Sequence, residues 1–122
     1  MVNSPVLFDT CILIDYLRGI PQARAECGRH ADRAISIVTW MEILVGAPLV
    51  DDDVRTFLLN FQLLPLTLEI AARAVEIRRL GRLKLPDAMI QATAQTHGRV
   101  LLTRNSRDFP ASSPGVRIPY KL

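Results

Sequence analysis

Residues 6–15 read Val-Leu-Phe-Asp-Thr-Cys-Ile-Leu-Ile-Asp. Val6-Leu7-Phe8 is a short, wholly apolar run, the pattern of a strand buried on both faces. It runs directly into Asp9. The residues that follow, Thr10 to Arg18, have helical spacing and stop at Gly19 and Pro21. A strand over Val6 to Asp9 feeding a helix over Thr10 to Arg18 is one half of a β-α-β unit. A carboxylate at the end of such a run is costly unless something positive compensates it.

The same alternation continues along the chain. Gln22 to His30 reads as a second helix, polar on most faces, and Ala34 to Ile37 as a second buried strand. Val38 to Ala47 is apolar with helical spacing and ends at Gly46 to Pro48. Asp51-Asp52-Asp53 suits the start of a helix over Val54 to Phe61, where negative charge favours the dipole. Leu63 to Leu66 reads as a strand that Pro65 assigns to an edge. Leu68 to Leu80 is a long helix, and Pro86 to His97 the clearest one, with Pro near its start and Gly98 as C′ residue. Val100 to Thr103 is a further strand. Residues 104–122 are loop-rich, with Val116 to Ile118 a last strand. Strands alternating with helices predict an α/β fold with a mainly parallel sheet between two helical layers. In such sheets ligands bind at the carboxyl ends of the strands.

Four acids stand in unusual places: Asp9, Glu42 within Trp40-Met41-Glu42-Ile43-Leu44, Asp87 after Leu85-Pro86, and Asp108 just past Val100 to Thr103. Each has an ordinary reading. Asp9 can cap a helix, Asp87 can complement the dipole of the first helical turn, and Asp108 can be a plain loop acid. Glu42 shares a stripe with Thr39 and Gly46 at i, i+3 and i+7, the polar stripe of an otherwise apolar helix, and that stripe can simply face solvent. Together, carboxylates converging on one cleft point to a divalent cation bound through oxygen. Asp15, six residues past Asp9, points elsewhere and is expected to hold structure, paired with Arg18. His97 is expected at a helix end and His30 on the surface. Neither has the neighbours of a zinc site.

At 122 residues and 49% hydrophobic content the chain suits one domain. Its apolar runs fall short of the about 20 residues that span a bilayer, and the N-terminus lacks the pattern of a secretory signal. These features predict a cytoplasmic protein without a membrane partner. Cys11 and Cys27 form neither a CxxC pair nor a zinc spacing and are read as reduced thiols. Charge is unevenly spread: residues 1–72 carry a net of −4 and residues 73–122 a net of +7. That asymmetry suits a nucleic-acid partner.

Four segments resemble, in order, those of PIN-domain ribonucleases of the VapC toxin type. They are Phe8 to Asp15, Ile35 to Ile43, Leu85 to Ala94 and Leu102 to Phe109. The resemblance covers nearly the whole chain and implies a single PIN-like domain over 1–122, three-layered α/β/α. It also implies a metal-dependent endoribonuclease acting on structured RNA, held by a small antitoxin and paired as a homodimer. Asp9, Glu42 and Asp87 are then the central metal-binding and catalytic acids. Some relatives carry the fourth acid at the position of Asn105 and others at that of Asp108; Asn105 offers an oxygen without charge. Cys11 replaces a frequent asparagine, and the segment between Gly46 and Asp52 is short.

The residue types fit that chemistry. Hard oxygen ligands suit Mg²⁺ or Mn²⁺, which activate water and stabilise the leaving oxygen. Thr10 and Thr103 are expected to orient water or phosphate, and Arg82, Arg104 and Arg107 to hold the RNA backbone. A catalytically silent RNA- or protein-binding module is the alternative. Dehalogenase-type phosphoryl transfer wants an acid where Cys11 stands, and a receiver wants a lysine where Thr103-Arg104 stand. A related structure-specific DNA nuclease would usually be larger.

Overall fold

A computed structural model of the chain describes residues 4–47, 51–110 and 113–122. Its strands are β1 (Val6–Phe8), β2 (Arg33–Ser36), β3 (Gln62–Leu64), β4 (Val100–Leu102) and β5 (Val116–Arg117). They form one sheet in the order β3-β2-β1-β4-β5, parallel throughout. The helices among the described residues are α1 (Thr10–Leu17), α2 (Pro21–Arg29), α3 (Ile37–Gly46), α4 (Asp52–Leu58), α5 (Leu68–Leu80) and α6 (Leu85–Thr96). The expected α/β architecture is therefore present. The short loop after Gly46 lies partly outside the described residues.

The apolar runs explain the layers. Val6, Leu7 and Phe8 are all buried, and the strand alternation sends them to opposite faces. Val6 and Phe8 join Ile12, Leu13, Ile35 and Leu102 in a core beneath α1 and α2. Leu7 joins Ala34, Leu101, Ile90 and Ala94 beneath α6. Alanines at Ala74, Ala88 and Ala92 let α5 lie close on α6.

Element ends differ from expectation by a residue or so, because side chains cap them. Asp9 leaves the strand and becomes the N-cap of α1. Ser36 caps α3 by accepting from Thr39 N at 3.1 Å, so Ile37 is helical rather than the end of a strand. Asp51 caps α4, accepting from Asp53 N and Val54 N. Past α6, Gly98 takes φ 64° and donates to Gln95 O while Arg99 N donates to Ala94 O. This paired closure needs the left-handed glycine that the sequence places there.

Two expectations are overturned. His30 is buried, with Nε2 2.8 Å from Glu26 Oε2, and Arg117 donates to that same oxygen at 2.7 Å. The cluster ties α2 to β5 across 87 residues or more, a partnership that local patterning does not reveal. Asp15 bonds to Arg104 and Tyr120, with Arg18 a lesser, purely electrostatic influence. The apolar stretch 57–64 is divided between core and surface. Leu58, Phe61 and Leu64 are buried, and Phe57 stacks on Tyr16, which leaves Leu59 and Leu63 exposed.

Candidate active site

β1 lies between β2 and β4, so the chain leaves β1 to one side and returns on the other. The crevice at the carboxyl ends of β1 and β4 is the switch point where open α/β sheets bind ligands. The residues that step off those two strands are Asp9 and Thr103. Thr103 Oγ1 donates to Asp9 Oδ2 at 2.7 Å, and Thr10 N donates to Oδ1 at 2.8 Å. The capping role of Asp9 is thus real, but it leaves the carboxylate oriented in a buried position, 5% exposed. Burial is the main reason its carboxyl is held above the usual range. Hydrogen bonds from Thr103, Thr10 and Cys11 act the other way, and the charge of Glu42 adds to the rise.

Glu42 reaches the same crevice from α3. Thr10 Oγ1 lies 2.6 Å from Glu42 Oε1 and 3.0 Å from Thr39 Oγ1, which is 3.5 Å from Ser36 Oγ. A hydroxyl has one proton, and the short contact with a carboxylate claims that of Thr10. Thr39 therefore donates to Thr10, and Ser36 to Thr39. The hydroxyl chain points toward Glu42, each bond polarising the next. The stripe seen in the sequence does not simply face solvent: Thr39 is fully buried and Glu42 stands at the open end. Ser36 and Thr39 escaped sequence reasoning as site residues, although their i, i+3 capping spacing was visible.

Asp87 enters from the first turn of α6, where Pro86 starts the helix. Its carboxyl is pushed up to about 6, first by burial and then by repulsion from Asp9, Asp108 and Glu42, with Lys84 opposing. The four acids singled out in the sequence are thus close enough for one to feel the other three. The ion pairs among the described residues engage Glu26, Asp15 and Asp32, and none of these four.

The loop after β4 joins the two candidates for the fourth position. Asn105 Nδ2 donates to Asp108 Oδ2 at 2.9 Å, and Asp108 N donates to Asn105 Oδ1 at 3.3 Å. The two residues thus hold each other through a reciprocal pair of hydrogen bonds. Arg104 departs from its expected phosphate role, since its Nε and Nη2 are committed to Asp15 at 2.7 and 3.1 Å. Arg107 is exposed and lines a polar recess of about 470 Å³ with Cys11 and Asn105. Arg82 is exposed in the turn between α5 and α6. Cys11 Sγ lies 3.6 Å from Asp9 Oδ2, and its thiol is pushed up to about 11, mainly by burial and then by the Asp9 charge. It is therefore a protonated neighbour of Asp9.

The donors around the crevice are carboxylate, hydroxyl and amide oxygens, which suit a hard cation. Among the described residues no group of three or more His, Cys, Asp or Glu side chains is drawn together tightly enough to hold a metal alone. A cation there would keep part of its water shell, as Mg²⁺ does when one or two carboxylates bind it. A separate apolar groove of about 550 Å³ adjoins the acids. Ile14, Val38, Met41, Val45 and Met89 line it together with Thr10 and Glu42. No helix among the described residues is long and apolar enough to cross a membrane.

The PIN domain family model matches residues 6–111. A toxin-antitoxin complex from Klebsiella pneumoniae contains a chain 43% identical to this one. It superposes with a TM-score of 0.90 and covers 96% of this chain and 99% of that one. FitAcB from Neisseria gonorrhoeae is 25% identical, with a TM-score of 0.74 over 93% of this chain and 97% of that chain. DNA-bound VapBC from Salmonella typhimurium shares the fold at 23% identity and a TM-score of 0.73, over 97% and 98%. No curated protein sequence matches the chain.

Proposed function

The chain belongs to the PIN-domain family, and from that premise we propose that it is a metal-dependent endoribonuclease that cleaves structured RNA as the toxin of a toxin-antitoxin pair. The observation that carries the reading is Asp87, held near 6 by burial and by the charges of Asp9, Asp108 and Glu42. A purely structural site would not gather four carboxylates without a paired cation.

Asp9, Glu42, Asp87 and Asp108 would hold Mg²⁺ or Mn²⁺. When bound, such an ion lowers the pKa of water and neutralises charge on the phosphate. The chain's own contribution is orientation. Thr103 and the Thr10 amide fix both oxygens of Asp9, and the hydroxyl chain fixes Glu42. Asn105 fixes Asp108. Asp9 and Asp87, whose carboxyls are both raised, are the acids whose ionised forms an arriving positive charge would favour. Arg82 and Arg107 are exposed cations free to meet RNA phosphates.

The Klebsiella relative is part of a toxin-antitoxin complex. That supports a small antitoxin as this chain's partner, and the apolar groove beside Glu42 supplies a place for an apolar segment carrying a cation. The toxin reading also carries a homodimer with it, acting in the cytoplasm.

Purified protein should cleave structured RNA with Mg²⁺ or Mn²⁺ and stop with EDTA. Asp9→Asn and Asp87→Asn should each lower the rate by at least about 100-fold, as removal of a charge-stabilising group commonly does, while keeping the native circular dichroism. Binding of RNA without cleavage under any divalent cation would establish the silent module instead.

A further inference from the structure

Asp15 is a carboxylate that phosphodiester cleavage does not require, yet it is only 2% exposed. Its Oδ2 accepts hydrogen bonds from Arg104 Nε and from the Tyr120 hydroxyl, both at 2.7 Å. Its Oδ1 accepts from Arg104 Nη2 at 3.1 Å. The three residues come from α1, from the loop after β4 and from the segment after β5. Tyr120 lies beyond the span matched by the family model, which ends at residue 111.

Arg104 stands between the groups that build the site. On one side Thr103 holds Asp9. On the other, Asn105 donates its amide to Thr103 Oγ1 at 3.0 Å and its side chain to Asp108. The amide of Arg104 itself donates to Cys11 Sγ at 3.4 Å. The far end of the loop is anchored by Phe109, buried in the core under α6. Without Arg104 the near end would hang on small side chains alone. A guanidinium fork on two carboxylate oxygens fixes direction as well as distance, and Tyr120 occupies the remaining face of Oδ2.

We infer that Asp15 and Tyr120 are positioning residues of the proposed nuclease site: they clamp Arg104 so that the loop presents Thr103 to Asp9 and Asp108 to the crevice. The inference rests on the nuclease reading for its catalytic consequence, but the clamp has a readout of its own. Cys11 is half-buried against the Arg104 amide, whereas Cys27 is buried in the core and serves as an internal reference.

The test uses the full chain and the variants Tyr120→Phe and Arg104→Lys. Tyr120→Phe keeps the ring and removes one donor, so it retains the fold. Two quantities are measured well below the melting transition: RNA cleavage under Mg²⁺, and alkylation of each cysteine by iodoacetamide at fixed pH, read by peptide mass spectrometry. The expected result is a kcat lowered about tenfold with KM within about twofold, the scale of one lost hydrogen bond to a charged group. Cys11 should alkylate several-fold faster while Cys27 does not change. Arg104→Lys, which cannot reproduce the fork, should show the same pattern more strongly. Unchanged kcat and unchanged Cys11 alkylation would overturn the inference. So would a loss of activity that merely follows the folded fraction, with both cysteines equally affected. If the wild-type chain cleaves no RNA, the nuclease reading fails separately, and Cys11 alkylation still decides the clamp.

Discussion

Asp87→Asn should make the cation-free protein more stable at neutral pH, although it should also destroy activity. The carboxyl of Asp87 is raised from an ordinary 3.8 to about 6. At about 1.4 kcal/mol per pKa unit, the folded protein bears a penalty of about 3 kcal/mol for ionising it. Asp87 is partly exposed, and solvent screening removes about half of that. Losing a negative charge from the first turn of α6 gives back about 0.5 kcal/mol. A net gain of about 1 kcal/mol remains, or about 4 °C in melting temperature for a chain of this size. The pH dependence follows from the direction of the shift. Below 3.8 the group is protonated in both folded and unfolded chains, so the substitution changes little. As pH rises from 3.8 to 6 the unfolded chain gives up the proton first, and wild-type stability falls. Above 6 the difference is constant.

Thermal melts in EDTA at pH 4, 5, 6 and 7.5 read this directly. Millimolar Mg²⁺ at pH 7.5 should raise the wild-type transition and narrow the gap, with little effect on the variant. A variant no more stable than wild type at pH 7.5, or equally stabilised at pH 4, would refute the claim that Asp87 is strained by its acidic neighbours.

Asp108→Asn should cost more activity than Asn105→Ala, since Asn105 acts by orienting Asp108; single-turnover cleavage rates would show the order, and equal negligible losses would reduce the site to three carboxylates. Thr10→Val should free Glu42 and lower kcat about tenfold, with Thr10→Ser restoring most of it; an unaffected Thr10→Val would remove the hydroxyl chain from the mechanism. Inhibition by the co-encoded neighbouring protein should weaken as Mg²⁺ is raised, if a cation of the partner enters among the acids; inhibition indifferent to Mg²⁺ would favour steric blockage of the RNA path. Light scattering across a concentration series should give twice the chain mass, and a concentration-independent monomer would end the dimer proposal.

What was legible in the sequence is what depends on neighbours along the chain. Leu68–Leu80 appears in the structure with its predicted limits, because Thr67 caps it and Gly81 ends it locally. The buried strands were visible as apolar runs, and Pro65 correctly marked β3 as an edge. Strand ends were missed by a residue because Asp9 and Ile37 were read as continuing the apolar runs before them, while the caps at Asp9 and Ser36 decide where the helices begin.

The acids were legible one by one because each sits beside an apolar segment, where an unpaired charge is costly. Their supports were not. Thr10 reaches Glu42 across 32 residues, Thr103 reaches Asp9 across 94, and Tyr120 reaches Asp15 across 105. Arg104 shows the limit most clearly. As a cation next to a strand end it resembles a phosphate binder, and only the fold reveals a buried carboxylate 89 residues earlier waiting for it. Asp15 was rightly assigned to structure but given the partner nearest in sequence, Arg18. An exposed arginine three residues away offers one screened charge. Arg104 offers a planar fork into a buried site, and there the low dielectric makes the better geometry decisive.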